Sequence, residues 1–231
     1  AEKLLKGYIE KDPKNLKLLS NASHFFLISD LNFAIDCLRK CIAIEPENSR
    51  WNEKLSFALS LSAKATDSLG LPDAMDASAN QEALAQMEKA RDLTKDPSQK
   101  ISMLSEIAEL AFDTGDLTKA EKYASELLKE VNAVENWDRN NCIHTGNTVL
   151  GRIALKHDDR AKAGEYLIAS AQHAGSQQLN SFGPTMVLAQ ELLDLGEKKM
   201  VIQYLQLCEK FWKKDITKPW IKQTQREHPL N

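Results

Sequence analysis

No stretch of the 231-residue chain approaches the roughly 18 consecutive apolar residues that span a bilayer, so no transmembrane helix is expected. Glycine (9) and proline (7) are scarce, which leaves too few turn formers for a large all-β fold and argues against disordered or collagen-like sequence. Neither sign of charge dominates. Thirty basic against 33 acidic side chains give a formal net charge of -3, without the excess that marks a general binder of nucleic acid or anionic membrane. The four cysteines, Cys37, Cys41, Cys142 and Cys208, have spacings that fit neither a paired CxxC zinc site nor a small disulfide framework. Cys37 and Cys41 stand one helical turn apart, but no CxxC or nearby His-rich segment completes a tetrahedral set. All four read as buried, reduced thiols, with the expectation of a cytoplasmic chain that holds no metal and no other cofactor. Catalytic signatures are missing too. There is no GxSxG elbow, P-loop, GxGxxG or HExxH, so no catalytic residue is assigned and the chain is not read as an enzyme. The nearest approach, His157-Asp158-Asp159, reads as an inter-helix turn with Asp159 as the cap of the next helix.

What is present is a repeat. Ala1-Glu2-Lys3-Leu4-Leu5 through Asp12-Pro13-Lys14-Asn15 recurs as Ala34-Ile35-Asp36-Cys37-Leu38 through Glu45-Pro46-Glu47-Asn48, an offset of 33 residues. Ser29-Asp30-Leu31-Asn32-Phe33-Ala34 and Thr114-Gly115-Asp116-Leu117-Thr118-Lys119-Ala120 share a turn residue, a capping Asp, an apolar residue and a small residue that opens a helix. The clearest phrase is Leu150-Gly151-Arg152-Ile153-Ala154, followed by Asp158-Asp159-Arg160-Ala161-Lys162-Ala163 and Tyr166-Leu167. Ile107-Ala108 with Ala111, Gly115 and Ala120, and Leu188-Ala189 with Leu192 and Gly196, repeat its frame.

These residues resemble the tetratricopeptide repeat (TPR) family over nearly the whole chain. The Leu-Gly, turn, Ala and aromatic sites occur in the family's order. The resemblance implies an all-α solenoid, a right-handed superhelix of about five helix-turn-helix repeats with a C-terminal capping helix, forming a single domain over 1–231. The segment 175–184 also resembles one found in uncharacterised bacterial TPR-like proteins, which implies a bacterial source. Because the family is defined by packing residues, it implies a mode of action and no chemistry.

The pattern predicts helices over 1–11, 15–29, 31–44, 49–69, 79–95, 99–113, 117–131, 137–156, 160–174, 183–195, 197–213 and 218–226. The offset of 49 between Ala34 and Ala83 predicts an inserted loop over 69–81. The offset of 43 between Ala120 and Ala163 lengthens a first helix back to Trp137, capped by Asn136. Pro219 suits the first turn of a last helix whose Trp220 and Ile221 cover the end of the array. The chain opens at Ala1 in place of Met, and Ala1 falls at the start of a second helix. The expectation is therefore a domain truncated at its N-terminal end, with an upstream half in a longer parent protein.

Trp137, Asn141, Thr145, Thr148 and Arg152 step by 4, 4, 3 and 4 along one predicted helix face, opposite Ile143, Asn147, Leu150, Gly151 and Ala154. One reading is a solvated face with a packed, hydrogen-bonded His144. The other is recognition: in TPR superhelices first helices line the concave surface, so the resemblance implies a groove. Leu19, Ser23, Phe26 and Phe57 make its early part apolar, and Glu109, Asn141, His144, Thr148, Arg152 and Gln190 its later part polar. Such a groove suits a peptide or helical segment of a protein partner, with Phe26 and Phe57 as apolar anchors and Arg152 for a carboxylate or carbonyl. Leu19, Ser23, Ser105 and Glu109 disfavour a clamp for a C-terminal carboxylate. The expected function is a non-catalytic protein-interaction scaffold, with no nucleic-acid or membrane partner. The alternatives are a small-ligand or enzymatic site around His144 and Arg152, or a regulatory module of a larger multidomain protein.

Overall fold

Three aspartates set the phase of the helices. Asp30, Asp116 and Asp159 each accept a hydrogen bond from the backbone amide three residues on, at Phe33 (3.1 Å), Lys119 (2.9 Å) and Lys162 (3.0 Å), satisfying one of the amides a helix start leaves open. The computed structural model describes residues 2–68, 73–131, 138–212 and 214–227. Among them are thirteen helices and no strand, and the fold is an all-α, TPR-like helical repeat.

Contacts divide the chain into two compact units, Ala1–Met103 and Leu104–Asn231. The first contains α1 (Glu2–Lys11), α2 (Leu16–Phe25), α3 (Leu31–Ile44), α4 (Ser49–Ser68) and α5 (Asp73–Leu93). α6 (Pro97–Asp113) begins in the first unit and ends in the second. The second contains α7 (Leu117–Glu130), α8 (Arg139–Lys156), α9 (Arg160–Ala169), α10 (Gln177–Phe182), α11 (Val187–Asp194), α12 (Lys198–Cys208) and α13 (Lys214–Glu227).

In the first unit α2 packs on α3, α3 on α4 and α4 on α5. Its core is built from Leu19, Phe26, Leu38, Leu55 and Met87, with Ala34, Ala58, Ala83 and Ala90 where helices approach closely. Side chains tie the layers: Ser56 Oγ donates to the Ala83 carbonyl (2.7 Å), and Arg39 pairs with both oxygens of Glu82. Glu45 accepts from the Trp51 indole (2.9 Å) and Asn48 (2.8 Å), which lowers its pKa in that order of effect.

In the second unit Leu167, Leu188, Leu192, Tyr204 and Leu205 form a buried cluster with Ala163, Ala171, Ala189 and Cys208. α8 lies against α7, α9 and α11. The contact with α11 depends on Gly151, where a Cβ atom would stand 2.3 Å from Leu188 Cδ2 and 3.2 Å from Tyr166 Cβ. All four cysteines are free and buried. Burial raises their pKa values, to about 11 for Cys41 and Cys142 and about 12 for Cys208.

Several expectations need correction. Residues 73–81, read as part of an inserted loop, are the first turns of α5, while 69–72 lie outside the described residues. The run 77–85 has four Ala and neither Gly nor Pro, so helix propensity prevails there. Residues 175–182, given no helix, contain α10, capped by Ser176, whose Oγ accepts from the Leu179 amide (3.0 Å), and the helix expected from 183 begins at Val187. The helix expected over 15–29 ends at Phe25, and that expected over 160–174 ends at Ala169. Asn136 and Trp137 lie outside the described residues, and α8 begins at Arg139. Pro219 sits inside α13, not in its first turn, because that helix begins at Lys214. The cap expectation fares better: Ile221 packs against the buried cluster, and the Trp220 and Trp212 rings stand 5.8 Å apart.

The turn at His157-Asp158-Asp159 closes α8 with two bonds, Asp158 N–H to the Leu155 carbonyl (3.0 Å) and Asp159 N–H to that of Ala154 (2.9 Å). The same pair closes α11 around Gly196. Gly196 has φ +87°, and Asp158 has φ 59°, the left-handed region that disfavours a Cβ. Asp158→Gly is therefore expected to stabilise the protein by about 0.5–1 kcal/mol, measured by urea unfolding. Gly151→Val should do the opposite, costing at least ~2 kcal/mol by forcing α8 and α11 apart, visible as a lower Tm with helical circular dichroism retained at low temperature. A Gly151→Val protein as stable as the parent would contradict the close approach.

Candidate functional site

The polar stripe expected on α8 splits into three parts with different fates. At the N-terminal end Asn140 and Asn141 hold the link between α9 and α10: Asn140 Nδ2 donates to the Gly175 carbonyl, Asn141 Nδ2 donates to Asp138 and Gln178, and Ser176 Oγ donates to Asn141 Oδ1 (2.6 Å). Asn141 thus positions the cap of α10.

In the middle, His144 and Thr148 are buried, as is Asn147, whose Nδ2 donates to the Ile143 carbonyl (2.8 Å). His144 Nδ1 lies 3.2 Å from the Ser170 carbonyl, and since a carbonyl only accepts, the proton is on Nδ1. His144 Nε2 has no hydrogen-bond partner among the described residues, and neither has Nε2 of His173, whose Nδ1 accepts from the Gly175 amide (3.0 Å). Burial lowers the pKa of His144 to about 4; the Ser170 carbonyl opposes the shift, and His173 adds to it. Burial likewise lowers His173, with the Ser170 carbonyl opposing and Arg139 reinforcing. Both rings are neutral packing elements at neutral pH.

At the C-terminal end Arg152 crosses three helices. Its Nε donates to Glu191 on α11 (3.0 and 3.3 Å), and its guanidinium carbon lies 4.2 Å from the ring centroid of Phe112 on α6. The side chain is only 25% exposed, and its Nη groups make no hydrogen bond among the described residues. The sequence frame makes Arg152 equivalent to Glu109 and Gln190, each following the small residue of its repeat. Glu109 is exposed on α6, one turn before Phe112, and Gln190 is exposed on α11 beside Glu191, its Nε2 donating to Asp194 (2.7 Å). Gln190 also lines a cavity of about 350 Å³ with Met186, Leu193, Val201 and Trp220.

The other expected groove residues are placed differently. Phe26 is fully buried, its ring 4.9 Å from that of Phe33, and is a core residue in place of a surface anchor; Leu19 and Ser23 are buried as well. Phe57 stands out from α4, 53% exposed. His144 and Thr148 are excluded from any open surface by the helices packed around α8. Glu191 and Phe112, which orient Arg152, were missed, though both were accessible as neighbours of frame positions on the adjacent repeats. Among the described residues no group of three or more His, Cys, Asp or Glu side chains is placed to hold a metal ion, and no helix is long and apolar enough to cross a membrane.

Residues 74–189, just over half of the chain, match the family model described as 26S proteasome subunit RPN7. The chain belongs to the RPN7 family. The match runs from the start of α5 to the first three residues of α11, and so includes Phe112 and Arg152 and stops short of Glu191. Among solved structures, this RPN7-family chain is similar to two described as crystal structures of MamA. One aligns with a TM-score of 0.54 at 14% identity over 74% of this chain and 80% of its own. The other aligns with 0.52 at 14% over 85% and 89%. At that identity they establish the TPR-like fold alone. Among curated proteins compared by sequence, none matches. Helical repeats of this kind commonly mediate protein–protein interaction and are generally non-enzymatic.

The buried histidines carry a pH dependence. A group neutral when folded and protonated when unfolded withdraws stability as pH falls, so stability is full above pH ~6.5 and declines toward the folded pKa of about 4. For His144 the loss is of the order of 3 kcal/mol across that window. Urea unfolding at several pH values should show a shallower slope between pH 6.5 and 4 for His144→Gln than for the parent. Equal slopes would mean that His144 is not buried in its neutral form.

Proposed function

We propose that this RPN7-family chain is a non-catalytic scaffold that holds a peptide or helical segment of a protein partner across the first helices of its second unit, α6, α8 and α11. The observation that carries the reading is Arg152. A guanidinium clamped by Phe112 on one helix and Glu191 on another is fixed before any partner arrives, and its unused Nη groups form a planar fork suited to a carboxylate or a backbone carbonyl. Glu109 and Gln190, at the equivalent positions of the flanking repeats, supply polar contacts on either side. The family's description as a subunit of a particle favours protein partners. Phe57 offers a separate apolar contact in the first unit. An enzymatic or small-ligand site around His144 draws no support, since the His144 ring is enclosed by helix packing.

Affinity capture with the full chain, followed by titration of the captured partner, tests the reading. Arg152→Lys keeps the charge beside Glu191 and removes the fork, so affinity should drop ~10-fold or more with Tm nearly unchanged. Lys129→Ala, on the exposed side of α7, should bind as the parent does. An Arg152→Lys protein that retains full affinity would move the binding face elsewhere.

A further inference from the structure

Between α9 and α11 the chain runs as a strap whose two ends are pinned in the same way. Gly175 (φ +84°) and Gly183 (φ +85°) both adopt the left-handed backbone region, and each lies against an aromatic side chain just beyond α12. A Cβ atom on Gly175 would stand 2.5 Å from Phe211 Cβ, and one on Gly183 2.3 Å from Trp212 Cε2. Little is buried between the pins. Of α10 only Leu179 is buried, while Gln177, Gln178, Asn180, Ser181 and Phe182 are exposed. Hydrogen bonds hold the strap instead: those from Asn140 and Asn141 of α8, and that of its own Gly175 amide, which donates to His173 Nδ1 (3.0 Å).

The bond to His173 has a property that the others lack. It reproduces the i to i+2 pattern of an Asx turn with a ring nitrogen as acceptor, and His173 is the only ionisable side chain between Tyr166 and Glu191. Because Nδ1 accepts, the neutral ring carries its proton on Nε2, the reverse of His144, whose Nδ1 donates. A second proton therefore goes to Nδ1. There its N–H would face the Gly175 N–H, so a hydrogen bond becomes a contact between two donors. The Ser170 carbonyl favours the charged ring and can accept from it as well as from His144. From α8, Arg139 and His144 face this region, Arg139 opposing protonation, and Asp138 is engaged by Asn141. Tyr204 and Cys208 of α12, on the Ser170 side, are kept neutral by burial, and the Phe211 ring, 5.0 Å from that of His173, brings no charge. Burial first, and then Arg139, hold the His173 pKa below 6.5, so the strap is fully held above that pH and loosens as pH falls.

We propose that residues 173–183 form a proton-sensitive latch, closed while His173 accepts from the Gly175 amide, and released from Phe211 and Trp212 once His173 Nδ1 is protonated and turns to the Ser170 carbonyl. Release uncovers two aromatic side chains and the Asn140–Asn141 end of α8. The latch goes beyond the scaffold reading and uses none of its residues.

Two measurements on the full chain test it. Nitrogen-15 spectra of the imidazoles at pH 7.5 should show the Nε2–H tautomer for His173 and the Nδ1–H tautomer for His144. Hydrogen exchange of the peptide 174–184, divided by its intrinsic rate, should speed at least ~threefold between pH 7.5 and 5, while peptides from α8 and α12 change less. His173→Asn puts a non-titrating oxygen near the place of Nδ1, so its strap should exchange slowly at both pH values. His173→Leu removes the acceptor, and its strap should exchange fast at both. An Nδ1–H tautomer for His173 at pH 7.5 overturns the proposal, as does strap exchange in the parent that ignores pH. A His173→Asn strap that responds to pH as the parent does would place the proton elsewhere. Exchange in α8 and α12 that accelerates in step with the strap would replace the latch by opening of the whole bundle. Arg152→Lys should leave strap exchange unchanged, so failure of the scaffold reading and failure of the latch are read separately.

Discussion

A helix covered by neighbours on three sides must settle nearly every polar group it carries inside the protein, and α8 is such a helix. From Cys142 to Ala154 only Ile143, Thr145 and Arg152 reach even partial exposure. The close approach that makes this possible is steric, set by Gly146 under Leu128 and Gly151 under Leu188. Its consequences are chemical. The Asn pair at the N-terminal end is spent on the α9–α10 link, His144 is held as a neutral donor to a carbonyl, and Arg152 escapes only by spanning the gap to α6 and α11. Loosening the Gly151 contact would unsettle the loop after α9, the histidine pair and the arginine together.

The part of the fold visible in the sequence is the part written in local chemistry. Asp30, Asp116 and Asp159 mark helix starts because a side-chain oxygen three residues before an open amide caps it wherever it occurs. Ala34, Ala83, Ala120 and Ala163 mark helix crossings because only a small side chain fits there, and all four are fully buried. What could not be read was decided by who packs against whom. The stripe from Asn141 to Arg152 has the periodicity of an exposed face, yet with α7, α9 and α11 packed on α8 its Thr148 is buried and its Asn141, Thr145 and Arg152 are only partly exposed. Periodicity gives the angle of a side chain about its helix axis and not what stands opposite. Phe26 failed for a related reason: it stands at the C-cap of α2, beyond the helix's last residue, and Phe33 and Lys6 lie against its ring. Of the candidate residues, the frame positions Glu109, Arg152 and Gln190 remain at the surface, since the position after the small packing residue is turned away from the neighbouring second helix.

This division of labour follows from the architecture. In a repeat each hairpin buries itself against the next, so residues that define the frame are consumed by packing and any specificity falls to positions that the frame leaves free. Membership in the RPN7 family and a likeness to MamA at 14% identity are compatible with very different surfaces on one backbone plan. The oriented guanidinium of Arg152 occupies one such position.

The four buried thiols give the molecule a built-in clock. A thiol held near pKa 11 or 12 inside a helix bundle reacts with an alkylating reagent only when its helix opens, so the labelling rate of the native protein measures the frequency of opening. Cys37 and Cys41 lie in the first unit, Cys142 and Cys208 in the second. The chain therefore reports the breathing of its two halves separately, with no foreign label, and a partner that steadies one half would slow one pair of cysteines and leave the other pair ticking.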